Sequence, residues 1–142
     1  MSVVVDASVI VALMVADERQ PAAQAHLEGW VESGEELHAP AVLPYELANV
    51  LARLLFDGDL DADRIVEMIW PDVAALGVEF HPLDVQEDGP AVAAITRRLR
   101  RRHATDSTYS HLAEQLDTEV WTLDGPLARN AADVGLPVKL IG

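Results

Sequence analysis

Short apolar, β-branched runs alternate with helical stretches along the whole chain, and this alternation restricts the fold more than any other feature of the sequence. Val3–Val5 is β-branched throughout and stops at Asp6. Ser8 is placed to cap the next helix, in which Val9 to Val15 are apolar all round and therefore expected to be buried. A second helix is predicted from about Pro21 to Glu32 and a short strand over Glu36–Ala39. Pro44 suits the opening turn of a third helix, with Leu47, Val50, Leu51, Leu54 and Leu55 forming one apolar stripe before Gly58 ends it. Asp61 to about Trp70 reads as a fourth helix, broken or kinked at Pro71, and Val78–His81 as a strand. Val85 to Arg102 predicts one long helix, with Gly89–Pro90 disturbing its first turns. Thr105 then caps a helix that turns Tyr109, Leu112, Ala113 and Leu116 inward. Glu119–Leu123 is a strand, Gly125–Pro126 turns the chain into a short helix to Asp133, and Val138–Ile141 is the last strand. Parallel strands need crossover connections, usually helical, so the pattern predicts a single α/β domain over residues 1–142 around a mainly parallel sheet.

That topology gives the acidic residues a place. Open parallel sheets carry their sites beyond the carboxyl ends of the strands. Asp6 ends the first strand, where it interrupts an apolar run that should be buried, and Asp124 ends the strand Glu119–Leu123. Glu46 lies in the first turn of the helix after the second strand, and Asp106 opens the helix after Thr105, although a helix rather than a strand precedes that one. Ordinary roles exist for three of the four: first helical turns favour acids, which covers Glu46 and Asp106, and Asp-Gly-Pro at Asp124 is a turn. Together with Asp6, however, four carboxylates are expected to meet at one edge. At ~5 Å and an effective dielectric of ~20 each pair would repel by roughly 3 kcal/mol. A hard divalent cation with oxygen ligands, Mg2+ or Mn2+, answers that charge. Such a cation activates water and clamps a phosphodiester during in-line attack. His26, His38, His81, His103 and His111 are scattered without zinc spacing and read as surface or structural residues.

The balance of charge bears on partners. The net charge of −14 opposes nucleic-acid binding in general, yet Arg97, Arg98, Arg100, Arg101 and Arg102 are concentrated in one stretch. On a continuous helix Arg97 and Arg101 would share a face, as would Arg98 and Arg102, and those faces would track RNA phosphates. A plain solvated face is the competing reading. The chain has no cysteine, which removes disulfides, thiolate metal sites and a cysteine nucleophile and suits a reducing cytoplasm. No segment approaches the roughly 20 apolar residues of a membrane span.

Three segments resemble the PIN-domain ribonuclease family. They are Val3-Val4-Val5-Asp6-Ala7-Ser8, Pro44-Tyr45-Glu46-Leu47-Ala48-Asn49-Val50-Leu51, and Trp121-Thr122-Leu123-Asp124 followed by Leu127-Ala128-Arg129. Asp106, in Ala104-Thr105-Asp106-Ser107-Thr108-Tyr109, stands where the family has its remaining acid. There Ser107 replaces the usual Ala, and Ser110 and His111 make the helix more polar. The resemblance implies a three-layer α/β/α fold and Mg2+- or Mn2+-dependent cleavage of RNA. It implies that Asp6, Glu46, Asp106 and Asp124 hold the metal, with Ser8 and Thr122 in support. The short length looks like the toxin branch of VapBC-type toxin–antitoxin pairs, which implies a small antitoxin partner and a homodimer. The helices around Leu47–Leu55 and Ile65–Trp70 are the candidates for the antitoxin groove, with ordinary core as their other reading.

Two other classes compete. A phosphatase with an Asp nucleophile wants a second Asp two residues after Asp6, where this chain has Ser8, and a lysine near the site, whereas the only lysine is Lys139. A PIN-like module that binds RNA or protein without cutting has no need of all four acids.

Overall fold

In the computed structural model, which describes residues 1–15 and 17–142, every strand pairing is parallel. The strands are β1 (Ser2–Val5), β2 (Glu36–Pro40), β3 (Glu79–His81), β4 (Val120–Thr122) and β5 (Val138–Leu140). Their order is β3-β2-β1-β4-β5. The chain first builds outward from β1 through β2 to β3, then returns to add β4 and β5 on the other flank. The order therefore reverses at β1, and β1 pairs with both β2 and β4. Val3, Val4 and Val5 are all buried, as a central strand covered on both faces requires.

The helices are α1 (Ala7–Met14), α2 (Gln20–Glu32), α3 (Leu43–Phe56), α4 (Ala62–Arg64), α5 (Trp70–Ala75), α6 (Gly89–Leu99), α7 (Thr105–Gln115) and α8 (Gly125–Asp133). Helix α1 packs with α2, α3 and α5, while α7 lies across β1, β2 and β4 with α6 upon it. Val9, Ile10 and Ala12 of α1 are buried, as its all-apolar sequence predicts. In α3, Leu47 and Leu51 are buried and Val50 and Leu54 are half-buried, but Leu55 is exposed, so the apolar stripe is narrower than its sequence suggests. Gly58, at φ 78°, closes that helix in the left-handed conformation its lack of a Cβ permits. Among the described residues no helix is long and apolar enough to cross a membrane.

Several local expectations are corrected. Ser8 does not cap α1: Asp6 occupies the cap position, and the Ser8 hydroxyl serves Asp6 instead. Nor does Thr105 cap α7, because Ala104 precedes the helix and Thr105 is its first residue. Pro71 does not end the fourth helix. A π turn over Ile65–Ile69 joins α4 to α5, and the Trp70 N–H donates five residues back to the Ile65 carbonyl. The widened turn accommodates a residue that brings no N–H and whose ring would crowd the carbonyl four residues before it.

The largest correction concerns the arginines. The long helix expected over Val85–Arg102 is shorter at both ends. Asp84 Oδ1 accepts the Gln86 and Glu87 N–H groups and holds a turn before α6 begins at Gly89. At the other end α6 stops at Leu99, and Arg100 adopts a left-handed conformation with φ 53°. Arg97 and Arg98 thus sit in the last turn of α6, whereas Arg101 and Arg102 lie beyond it. The two shared helical faces do not exist. Arg98 donates to the Val134 carbonyl, and only Arg101 turns toward an acid, with Nε 3.9 Å from Asp106. A left-handed conformation costs a residue with a Cβ about 1–2 kcal/mol, which glycine avoids at some cost in chain entropy. Arg100→Gly should therefore raise stability by up to ~1 kcal/mol in a denaturant melt. A loss of stability would show that the Arg100 side chain contributes more than its backbone conformation costs.

Candidate functional site

Asp6 is buried at the carboxyl end of β1, and its position follows from the register of the sheet. Its N–H donates to the Trp121 carbonyl of β4, and its own carbonyl accepts the Val9 N–H that starts α1. An aspartate at a helix cap ordinarily turns its carboxylate onto the backbone, but Asp6 makes no such bond. Instead Oδ2 accepts two hydroxyls, Ser8 at 2.6 Å and Thr122 at 2.8 Å. Those hydroxyls are fixed in turn: Ser8 Oγ accepts the Leu123 N–H at 3.0 Å, and Thr122 Oγ1 accepts the Asp124 N–H at 3.0 Å. One carboxylate oxygen is thereby immobilised across the β1–β4 pair, at the point where the strand order reverses.

The other acids approach from separate elements. Asp124 caps α8, its Oδ1 accepting the Leu127 N–H at 3.0 Å, so the turn reading of this residue holds as far as one oxygen. Glu46, in the first turn of α3, accepts the Tyr109 hydroxyl on Oε1 at 2.6 Å. Tyr109 is fully buried on α7, so this bond ties α3 to α7. Asp106 stands in the first turn of α7, with the Arg101 guanidinium beside it.

The electrostatics couple these groups. Burial pushes the Glu46 carboxyl up to about 7; the Tyr109 hydrogen bond opposes this, and the charges of Asp6 and Asp106 add to it. Burial also raises Asp106, reinforced by Asp6 and Asp124 and countered by Arg101 and His103. Tyr109 is raised by its own burial and by Asp6 and Glu46, so its hydroxyl stays protonated and remains a donor. Coulombic coupling links Asp6 to Glu46, Asp6 to Asp106, Glu46 to Asp106, and Asp106 to Asp124. All four acids predicted from sequence, with Ser8 and Thr122, are brought to one edge of the sheet. Their donor set is oxygen only, and Arg101 makes a long ion pair, 3.9 Å, with Asp106. That donor chemistry suits a hard divalent cation, which would have to draw the acids together, since no three of them bring carboxylate oxygens within 4.8 Å of one another among the described residues.

Sequence reasoning missed two participants. Tyr109 reads as core, yet a buried tyrosine needs a partner for its hydroxyl, and Glu46 provides it. Arg101 reads as part of a helical stripe, and only the break at Arg100 turns it toward Asp106. Two of the polar departures on α7 have local explanations, whereas the buried Ser110 hydroxyl has no hydrogen-bond partner. Ser107 accepts the Thr96 hydroxyl of α6 at 2.7 Å, and His111 and Gln115 both contact Asp88 Oδ1 at 2.9 Å. Beside the acids runs a groove of about 570 Å³, lined by Tyr45, Leu83, Arg102, His103 and Thr105 among others.

The raised Glu46 carboxyl makes a pH prediction for the metal-free protein. Its ordinary value is 4.5 and its folded value about 7, so the folded state binds the proton more tightly than the unfolded chain. The associated stability is present below about 4.5 and is lost as pH rises through 7. Asp106 acts with the same sign. Melts in EDTA should show stability falling over this window, and Glu46→Gln should flatten the fall. An unchanged slope in Glu46→Gln would show that Glu46 titrates as an ordinary carboxylate.

The chain and its fold have counterparts among known proteins. A family model described as "PIN domain" matches residues 3–133. A protein named Ribonuclease VapC3, from Pyrobaculum aerophilum, is 34% identical over 134 residues, covering 90% of this chain and 93% of that one. Among solved structures, the crystal structure of PAE2754, also from Pyrobaculum aerophilum, superposes with a TM-score of 0.66 over 92% of this chain and 79% of that chain. At 20% identity, this second likeness concerns the fold alone.

Proposed function

The chain belongs to the PIN domain family, and from that premise we propose that it is a metal-dependent endoribonuclease, the toxin of a type II toxin–antitoxin pair. The observation that carries this reading is the electrostatic linkage of Asp6, Glu46 and Asp106, with Asp124 joined to them through Asp106, at the strand-order reversal. RNA as substrate is supported by the relative named a ribonuclease. Asp6, Glu46, Asp106 and Asp124 would hold Mg2+ or Mn2+, which supplies charge neutralisation and water activation when bound.

The chain's own residues prepare the site in distinct ways. Ser8 and Thr122 occupy Oδ2 of Asp6 and leave its other oxygen for a ligand. Tyr109 holds Glu46 through Oε1, which leaves Oε2 for a ligand or a proton. Without the ion, burial and the neighbouring acids raise Glu46 to about 7; a bound cation would favour its charged, ligating form. Arg101 and Arg102 are the cations best placed for the RNA phosphates, being close to Asp106 and in the adjoining groove respectively. Arg97 is exposed and available for a more distant phosphate, and Arg98 is committed to the Val134 carbonyl. The protein acts in the cytoplasm as a homodimer and is held inactive by a small cognate antitoxin. The exposed side chains of Leu55, Phe56, Val66 and Met68 offer apolar surface for these contacts.

RNA cleavage should require Mg2+ or Mn2+ and stop in EDTA. Asp106→Asn should abolish it while leaving metal-free stability unchanged or higher, because one member of a repelling set has been neutralised. The variant should also lose most of the thermal stabilisation that Mn2+ gives the wild type. A first-turn aspartate with only a helix-dipole role would forfeit a few tenths of a kcal/mol, with no link to metal. Equal stabilisation of both proteins by Mn2+ would remove Asp106 from the site.

A further inference from the structure

The five histidines, scattered in sequence, are not all scattered in space. His38 on β2 and His81 on β3 are separated by 43 residues, yet His38 Nδ1 lies 2.8 Å from His81 Nε2. The parallel register pairs His38 with Glu79 and Pro40 with His81, so all three side chains leave the same face of the β2–β3 pair. Glu79 Oε2 is 3.6 Å from the same His38 nitrogen. One ligand atom from each of His38, Glu79 and His81 lies within 4.8 Å of the others, and this is the compact ligand trio among the described residues. It is separate from the four carboxylates, none of which belongs to it.

The geometry points to a second cation site, formed by His38, Glu79 and His81, for a borderline transition ion of the Zn2+ class. Around tetrahedral Zn2+, with bonds of about 2.0–2.1 Å, neighbouring donors are about 3.3 Å apart. The observed 2.8 and 3.6 Å bracket that separation, and the remaining one, between His81 and Glu79, is within 4.8 Å. The surroundings favour the ligating tautomer of His38. Its ring is buried, and its other nitrogen, Nε2, has no hydrogen bond but faces Glu36 Oε2 at 3.4 Å. A carboxylate there favours the proton on Nε2 and leaves the Nδ1 lone pair directed at His81 and Glu79. Ligating histidines commonly carry such an outer carboxylate.

Imidazole nitrogens separate this site from the all-oxygen cluster by ligand type: Zn2+, Co2+ and Ni2+ suit the first, Mg2+ and Mn2+ the second. Three protein ligands leave a fourth position open. A bound ion would strap edge strand β3 to β2 and fix His81, which lines the groove beside Tyr45 and Thr105. The proposal does not depend on the ribonuclease reading.

Zn2+ titrated calorimetrically into the full chain, with excess Mg2+ occupying oxygen sites, should bind at one ion per chain. Co2+ in its place should give the intense visible absorption of a tetrahedral complex. His81→Gln should remove both signals, and Glu36→Gln should weaken Zn2+ binding about 10–100-fold. Asp106→Asn should leave both intact. Should His81→Gln fail to match the wild-type melt in EDTA, Glu79→Gln, altered at an exposed side chain, makes the same test. Undiminished Zn2+ affinity in the folded histidine or Glu79 variant would overturn the site. So would loss of binding in Asp106→Asn, which would assign the ion to the carboxylate cluster. Absence of Zn2+ binding to the wild type would leave a plain histidine–histidine hydrogen bond.

Discussion

Two hydroxyls donating to one buried carboxylate oxygen set the geometry on which the rest of the site depends. Asp6 Oδ2 receives Ser8 from the first turn of α1 and Thr122 from the end of β4. Each hydroxyl is also a backbone acceptor, Ser8 for Leu123 and Thr122 for Asp124. The network therefore fixes the start of α1, the end of β4 and the entry to α8 relative to one another. Hydrogen bonds to a charged acceptor are worth about 1.5–3 kcal/mol each, enough to hold Asp6 in place against its like-charged neighbours. Tyr109 repeats the device for Glu46 and links the helix layers represented by α3 and α7. Both devices use protonated hydroxyls, so they position the acids without cancelling their charge.

That residual charge connects structure to function. A set of acids relieved by arginines or helix caps would be at rest. Here only Asp124 has a capping bond, and Arg101 stands 3.9 Å from Asp106. Glu46 responds with a proton affinity near neutrality. The fold maintains the repulsion because β1, β4, α3 and α7 are locked by apolar burial of Val4, Val5, Val120, Leu43, Leu47 and Leu112. Each buried side chain of this kind contributes about 1.5–3 kcal/mol, so several together exceed the cost of a few partly screened carboxylate pairs.

The alternation of strands and helices was legible in the sequence because it depends on local pattern, and the four acids stood out by position, at a strand end, in a first turn or at a turn; the support by Ser8 and Thr122 was implied by the family resemblance alone, since Ser8 by itself reads as a helix cap. What was not legible depended on pairs distant in the chain or on the exact end of a helix. Nothing in the sequence marks the left-handed Arg100, and a run of five basic residues within six positions reads naturally as a helix face. Pro71 signals a break, but the π turn that absorbs it is a tertiary accommodation. Tyr109 was read correctly as buried, while its partner 63 residues away was invisible. The same holds for His38 and His81, whose meeting is a consequence of strand register alone.

The central claim is that Asp6, Glu46, Asp106 and Asp124 form one cation site. Anomalous diffraction from a crystal of the full chain equilibrated with Mn2+ tests it most directly. The account predicts manganese density within coordination distance, about 2.0–2.3 Å, of carboxylate oxygens from at least three of these four residues. Manganese found only at His38 and His81, or nowhere in the molecule, would contradict it.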